Sequence, residues 1–193
     1  MHRLSPAFVL GFHGCDKSVG DKLLAGEKFK KSENVYDWLG AGIYFWESNP
    51  RRGLEWAVER SKRPGGSRIK EPFVVGAVID LGFCLDLTTS EAATKIKAAY
   101  DSLKITYETA GRPLPKNKDL RPLLDCAVIN WLHDIRKKDG DEAFQSVRGV
   151  FIEGDPIYPD ANFKEKTHIQ IAVRDPKCIK GVFRVSDDLL SVP

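Results

Sequence analysis

The sequence predicts an α+β domain in which antiparallel strands are flanked by helices. Two observations lead to this class. Strand-like and helix-like segments alternate over the first half of the 193 residues, whereas strands alone follow the last helical segment. A simple doubly wound parallel sheet would need a helix between each pair of strands. The length suits one domain and the sequence shows no internal repeat, so residues 1–193 are predicted to form a single unit.

Apolar runs, glycines and prolines define the elements of the first half. Gly26 is well placed to end a short helix, because glycine adopts the left-handed conformation found after a helix. Pro50 suits the first turn of a second helix, since its φ is preset and it has no N–H to leave unpaired. The predicted elements are strands at 6–12, 43–46 and 72–81, a helix at 17–25, a polar loop at 27–41 and a helix from 49–50 to the breaker Pro64-Gly65-Gly66.

The second half is predicted to contain two helices and a run of strands. Thr88 and Glu91 match the capping-box pattern, which places the start of a helix there. Apolar residues recur along one side of the next helix, so one face of it should be buried. The predicted elements are a strand continuation at 84–87, a helix to about 107, a loop at 109–120, a helix at 122–137 and strands at 147–153, 167–173 and 178–185.

Composition excludes several classes of protein. The net charge of +3 gives no indication of a nucleic-acid groove, and no apolar run approaches the roughly 20 residues of a membrane span. With no signal-peptide pattern either, we expect a cytoplasmic protein. The four cysteines lack C-x-x-C spacing, so we expect buried reduced thiols and no metal site. Arg51 and Arg52 are expected to be a solvated pair, or else to meet a phosphate.

Three short motifs occur in a defined order near the N-terminus. His13-Gly14 follows the first strand, Ala25-Gly26 ends the next helix, and Gly40-Ala41-Gly42-Ile43-Tyr44-Phe45 opens the second strand. Together they resemble the poly(ADP-ribose) polymerase and diphtheria-toxin branch of the ADP-ribosyltransferases. The matching block covers about residues 8–58. The resemblance implies an ADP-ribosyltransferase-like fold of split antiparallel sheets with flanking helices, and NAD as co-substrate.

The resemblance also implies how NAD would be held. His13 would donate a hydrogen bond to the ribose hydroxyls on the adenosine side, and the backbone of Gly14 would approach the nicotinamide amide. Tyr44 would stack on the nicotinamide ring, with Trp56 or Trp46 as a second aromatic wall. Ordinary packing explains each of these residues as well. The cofactor-binding set is His13, Gly14, Cys15, Gly26, Tyr44 and Trp56.

The sequence departs from the family at a late strand, where the family usually carries a glutamate. His168, Gln170 and Ala172 share one face of the predicted strand, and no carboxylate lies on that face. Three substitutes are open. Gln170 could hydrogen-bond the ribose hydroxyl, His168 could do so and act as a base near neutral pH, and Glu153 could reach across from the preceding strand. Tyr44, Gln170 and His168 are therefore the candidate catalytic residues.

The resemblance implies a mono-ADP-ribosyltransferase, a glycosyltransferase that moves ADP-ribose from NAD to a protein or nucleic acid and releases nicotinamide. Because the usual glutamate also supports chain elongation, its absence favours single transfers over polymer synthesis. Two other interpretations stay open. One is a catalytically inactive module that binds NAD or ADP-ribose and serves regulation. The other is a toxin-like NAD glycohydrolase, in which water replaces the acceptor.

Overall fold

A computed structural model describes residues 8–63, 68–118 and 121–191. These residues form an α+β fold with seven strands and four α-helices, so the predicted fold class is confirmed at that level. The strands are β1 (Phe8–Asp16), β2 (Ile43–Glu47), β3 (Pro72–Asp80), β4 (Cys84–Asp86), β5 (Ser146–Phe151), β6 (His168–Val173) and β7 (Ile179–Arg184). The helices are α1 (Lys17–Leu24), α2 (Pro50–Ser61), α3 (Ser90–Thr109) and α4 (Leu123–Asp139).

All seven strands belong to one mixed sheet in the order β4-β5-β6-β2-β1-β3-β7. Neighbouring strands are antiparallel except β4 and β5, which are parallel. Within the described residues, β1 and β2 pair only at Gly11–Glu47 and Phe12–Trp46. The two halves of the sheet are therefore joined by a short ladder at their centre.

Helices cover both faces of the sheet. Side chains of α3 and α4 pack on Val147 and Ala172, and Leu54 of α2 packs with Phe12 and Val74. The strand register places these sheet residues on one side, which we call the α2–α4 face. On the other side α1 covers β1 and β3, and the core around Phe45 and Ile171 receives Phe29 from the loop after α1. We call this side the α1 face.

Two predicted boundaries are wrong. β1 continues through Asp16, so His13 and Gly14 lie inside a strand and not at its end. The cap of α3 is Thr89, whose hydroxyl accepts a hydrogen bond from the Ala92 N–H at 3.2 Å, while the Thr88 hydroxyl donates to Asp86. The end of β1 depends on pairing with β3, which local patterns do not contain, whereas the cap of α3 shifts by one residue because the Thr88 side chain bonds Asp86. Residues 6–7, the breaker at 64–66 and residues 119–120 lie outside the described residues.

The four cysteines are free thiols, and all except the half-buried Cys84 are buried, as predicted. In the described part of the chain, no group of three or more His, Cys, Asp or Glu side chains could hold a metal ion. A helix long and apolar enough to cross a membrane is likewise absent from residues 8–63, 68–118 and 121–191.

His133 makes the stability of the fold sensitive to acid. Burial in α4 and the nearby guanidinium groups of Arg174 and Arg136 lower its pKa to about 3, so the folded chain keeps it neutral. The unfolded chain protonates the same ring near pH 6.5. The free energy of unfolding should therefore be highest above this pH and fall by up to about 1.4 kcal/mol per unit as pH drops toward 3.

Urea unfolding of the wild type and of His133→Leu, from about pH 7 to about pH 4, checks this expectation. The variant lacks the titrating ring and should lose less stability per pH unit than the wild type. Equal slopes for the two proteins would show that His133 is not the source of the acid sensitivity.

Candidate functional site

The ladder between β1 and β2 stops where His13 replaces a backbone partner. The register Phe12–Trp46 would next place the Gly14 N–H opposite the carbonyl oxygen of Tyr44. The His13 ring forms a hydrogen bond with that carbonyl instead, with Nδ1 2.8 Å from the oxygen. Beyond this point no pairing between β1 and β2 is found among the described residues. We call the gap that opens between the two strands the fork.

His13 lies on the α1 face, where its ring contacts Phe29 and Phe45 at centroid distances of 5.3 and 5.7 Å. A carbonyl oxygen only accepts hydrogen bonds, so Nδ1 carries the proton in the bond to Tyr44. Burial lowers the pKa of His13, and the ring is neutral. Nε2 is then an acceptor. The predicted donor role of His13 toward a ribose hydroxyl is thus reversed in direction, because the ring can accept from that hydroxyl.

A pocket of about 170 Å³ lies beside His13 on the α1 face. A second pocket of about 260 Å³ adjoins it, sharing residues of α1 and of the loop that follows. The lining combines apolar side chains with three lysines and one glutamate, which gives it a net positive charge. The residues around the first pocket are His13, Val19, Lys22, Leu23, Glu27, Lys28, Phe29 and Lys30.

Gly14 occupies the edge of the fork. Leu10 accepts a hydrogen bond from the Ser48 N–H at 2.8 Å, so the backbone polar groups of even-numbered β1 residues point toward β2. The N–H and C=O of Gly14 therefore face the fork. A Cβ at Gly14 would lie 2.2 Å from the carbonyl oxygen of Gly53 in α2. Close contact with α2 thus requires the glycine, and leaves its backbone groups facing the gap.

Tyr44 lies on the opposite face of the sheet from His13. It pairs with Ala172 and packs into the core formed with α3 and α4. Its hydroxyl accepts from the Leu39 N–H at 3.0 Å and donates to the Gly40 oxygen at 2.8 Å. Burial raises the pKa of this hydroxyl. The sequence predicts that His13 and Tyr44 hold one dinucleotide, but their side chains lie on opposite faces of the sheet.

Gln170 is the polar group of β6 that remains open on the α2–α4 face. In the sheet register it lies between Trp46 of β2 and Gly149 of β5, and it is half-buried. Its Oε1 accepts a hydrogen bond from Nε1 of Trp38 at 2.6 Å. Among the described residues the amide nitrogen has no partner, so it can donate to a ligand. Of the three residues predicted to replace the usual glutamate, Gln170 is the one whose side chain is neither buried nor held in an ion pair.

His168 does not support its predicted role as a base. It is buried between Trp46 and Phe151, at ring distances of 6.1 and 5.5 Å. Nδ1 is 2.6 Å from the Lys166 carbonyl and so carries the proton, whereas Nε2 is buried and finds no partner within the described part of the chain. Burial also lowers the pKa of His168. The ring is neutral and shielded from any ligand on this face.

Arg52 and Glu153 form an ion pair that the sequence does not reveal. Arg52 is only 4% exposed, with Nη2 3.1 Å from Glu153 and Nη1 3.5 Å from Glu59. The prediction of a solvated pair is wrong for Arg52 and correct for Arg51, which is exposed. The carboxylate of Glu153 is engaged in tying α2 to the chain after β5. It is therefore a poor substitute for the family glutamate.

Aromatic side chains surround the fork on the α2–α4 face. The Trp56 ring lies 3.2 Å from the position that a Cβ on Gly14 would take, and its centroid is 5.4 Å from that of Trp46. Trp56 is half-buried and Trp46 is buried, so Trp56 is the better candidate for an aromatic wall. Trp38 lies in the polar loop predicted at 27–41, and the sequence predicts no role for it because only the fold brings it to Gln170.

Cys15 and Gly26 lie on the α1 face. Cys15 is buried against Gly20 of α1, and burial is the main reason that the pKa of its thiol rises to about 12. It is a packing residue and not a nucleophile. Gly26 has a φ of +97° and lines the second pocket, so the predicted helix end is confirmed. Its left-handed conformation lets the loop turn beside the pocket.

The chain is 24% identical over 187 aligned residues to an uncharacterized protein of Methanocaldococcus jannaschii. The alignment covers 88% of this chain and 83% of the archaeal protein. No protein-family profile matches the sequence, and no solved structure matches it. Similarity therefore extends over nearly the whole domain without adding an activity.

Proposed function

We propose that this chain binds NAD and transfers ADP-ribose from it to a macromolecular acceptor, a protein or a nucleic acid, with release of nicotinamide. One observation carries the proposal. His13 and Gly14 are consecutive, and at the fork the side-chain positions of the two residues lie on opposite faces of the sheet. A bent dinucleotide spanning the fork would have its adenosine on the α1 face and its nicotinamide on the α2–α4 face.

The α1 face suits the adenosine and phosphate end. Leu23 and Phe29 offer apolar contact for a base, and the lysines of the pocket offer positive charge to a pyrophosphate. His13 Nε2 accepts a hydrogen bond from a ribose hydroxyl. Specific polar contacts in a mostly apolar pocket are the usual design of a small-molecule site.

The α2–α4 face suits the nicotinamide end. The N–H and C=O of Gly14 complement the carboxamide, which has both a donor and an acceptor. Trp56 and Tyr44 border the position of the ring. When the bond from C1′ to the nicotinamide nitrogen breaks, its electron pair neutralises the cationic ring. The acceptor then forms a bond to C1′ and loses a proton to solvent. In this proposal the Gln170 amide, which faces away from Trp38, positions the ribose during this step.

Gln170 and Glu153 also favour a second candidate, an inactive module that binds NAD or ADP-ribose. Gln170 has no charge to stabilise the developing sugar cation, and Glu153 is neutralised by Arg52. The candidates differ in turnover and not in binding, since the pocket and the fork are common to both.

NAD labelled in its adenosine part separates the alternatives. The protein is incubated with it, alone and with a cell lysate, while nicotinamide is quantified and the label is tested for sensitivity to protease and nuclease. Nicotinamide release with label in macromolecules supports the proposal. Free ADP-ribose as the sole product indicates a glycohydrolase. Calorimetric binding without turnover indicates the binding module. If the protein shows no binding and no turnover, NAD is not its ligand.

Substitutions at Tyr44 test ring contact separately from the hydroxyl. Tyr44→Phe keeps the ring but leaves the Leu39 N–H and the Gly40 oxygen without their partner, so the free energy of unfolding should fall by about 1–3 kcal/mol. NAD affinity should change little. Tyr44→Ala removes the ring as well and should weaken NAD and nicotinamide together.

Chemical denaturation gives the stability of both Tyr44 variants, and calorimetry at a temperature where both are folded gives their affinities. Equal loss of NAD affinity in the two variants would argue against contact between the ring and the ligand.

A further inference from the structure

We propose that Trp38 is a positioning residue that fixes the side-chain amide of Gln170 with its NH2 group toward the ligand, so that this site selects a ligand atom that accepts a hydrogen bond. The inference deepens the proposed NAD chemistry and rests on it. The ligand atom would be a hydroxyl oxygen of the nicotinamide-side ribose.

The direction of the bond between the two side chains leaves one orientation of the amide. The indole N–H of Trp38 can only donate, so the group 2.6 Å away must be the acceptor oxygen Oε1 of Gln170. Rotating the amide by half a turn would place two donors against each other. The two N–H bonds of the amide therefore point away from Trp38. Because Gln170 is half-buried, they are available to a ligand on the α2–α4 face.

The indole ring is held against the sheet. It lies over Gly149, where a Cβ would come within 2.9 Å of the ring, and its centroid is 5.0 Å from that of Phe151. Gly149 is the register partner of Gln170 on β5. A glycine at this position thus lets Trp38 approach the sheet closely enough to reach the neighbouring side chain.

The segment that follows Trp38 is clamped by hydrogen bonds. Tyr44 binds the Leu39 N–H and the Gly40 oxygen, the Ala41 N–H donates to Asn130 at 3.0 Å, and Arg174 donates to the Ala41 oxygen at 2.8 Å. These bonds attach residues 39–41 to β2, α4 and the end of β6. The position of the indole donor is consequently set by three elements and not by its own loop.

The chemistry at position 170 explains why such a residue is needed. A carboxylate presents two equivalent acceptor oxygens, so either of them can face the ligand. An amide has one acceptor end and one donor end, and a hydroxyl can bond either of them, so an unfixed amide would bind the ribose hydroxyl in two orientations. The indole of Trp38 removes this ambiguity for Gln170.

Trp38→Phe keeps an aromatic ring over Gly149 and removes the donor, which makes it the matched test variant. In the Gln170 background it should raise the KM for NAD by up to about tenfold, because the freed amide no longer holds its NH2 group toward the ribose and one hydrogen bond to the ligand is weakened. In a Gln170→Glu background the same substitution should have little effect on KM, because the carboxylate needs no orientation. An equal rise in both backgrounds would overturn the proposal, since it would point to ring packing.

Proton–nitrogen NMR tests the orientation without NAD. The chain has four tryptophans, and Trp38→Phe identifies the indole signal of Trp38 by its loss. That signal should be protected from solvent exchange in the wild type and should lose its protection in Gln170→Ala. Unchanged protection would contradict the Trp38–Gln170 bond and with it the proposal. If the bond is present but the wild type binds no NAD by calorimetry, the proposed function is wrong. The proposal that Gln170 selects a hydrogen-bond-accepting atom of NAD is then wrong as well.

Discussion

Replacing Gln170 with alanine is expected to lower the rate of nicotinamide release by roughly a hundredfold, because losing one preorganised polar partner in an active site commonly has an effect of that size. Gln170 lies in the middle of the α2–α4 face and its amide nitrogen is directed away from Trp38. Alanine removes the contact and also frees the indole N–H. Binding of NAD should weaken less than turnover, since the pocket beside His13 is untouched.

The converse substitution, Gln170→Glu, should raise turnover. A carboxylate still accepts the Trp38 hydrogen bond, and its negative charge stabilises the developing cation at C1′ more than a neutral amide does. Stopped assays of nicotinamide release at saturating NAD measure the turnover rates of Gln170→Ala and Gln170→Glu. Because His168 is buried and neutral, His168→Gln should leave the shape of the pH–rate profile unchanged. Full activity of Gln170→Ala would remove Gln170 from the site.

Replacing His13 with asparagine is expected to raise the dissociation constant for NAD at least tenfold while the fold is retained. The asparagine amide can occupy the place of Nδ1 and donate to the Tyr44 carbonyl, but it offers no atom at the place of Nε2. Losing one hydrogen bond to a ligand hydroxyl typically costs on the order of 1–3 kcal/mol. His13→Ala removes both contacts and should in addition lower the stability.

Isothermal titration with NAD measures the two His13 variants, and thermal unfolding checks their folding. His13→Gln is the matched control, because its longer amide reaches the place of Nε2 and gives up the bond to Tyr44. It should keep more NAD affinity than His13→Asn. Normal NAD binding by a folded His13→Asn protein would exclude the ligand role of His13.

Most of the secondary structure could be predicted from local patterns. The helix after Asn49 and the helix end at Gly26 follow from residues that act within one turn, and both occur where they are expected. The end of β1 could not be predicted in this way. Its last four residues pair with β3, and that partner is about 60 residues away in the chain. Local propensity is a weak predictor of where a strand ends when pairing with a distant strand determines that end.

The candidate site shows the same division. The motif around His13, Gly14 and Tyr44 indicates where a ligand would bind. Alternation along each strand does not show, however, that the side chains of His13 and Tyr44 lie on opposite faces of the sheet at the fork. The burial of His168 and the pairing of Glu153 with Arg52 were equally hidden, because each depends on contacts between elements far apart in sequence. Those contacts are the reason that we propose Gln170 among the three substitutes.

By itself the sequence determined the α+β class, the free cysteines and the positions of the motif residues, since short-range spacing and side-chain chemistry are properties of the chain. Only the tertiary structure decided what these residues can do. It sets the proton of His13 on Nδ1 through a carbonyl 31 residues away, and it orients Gln170 through an indole 132 residues away. A hydrogen bond fixes which end of a side chain remains for a ligand, and these partners meet only in the folded sheet.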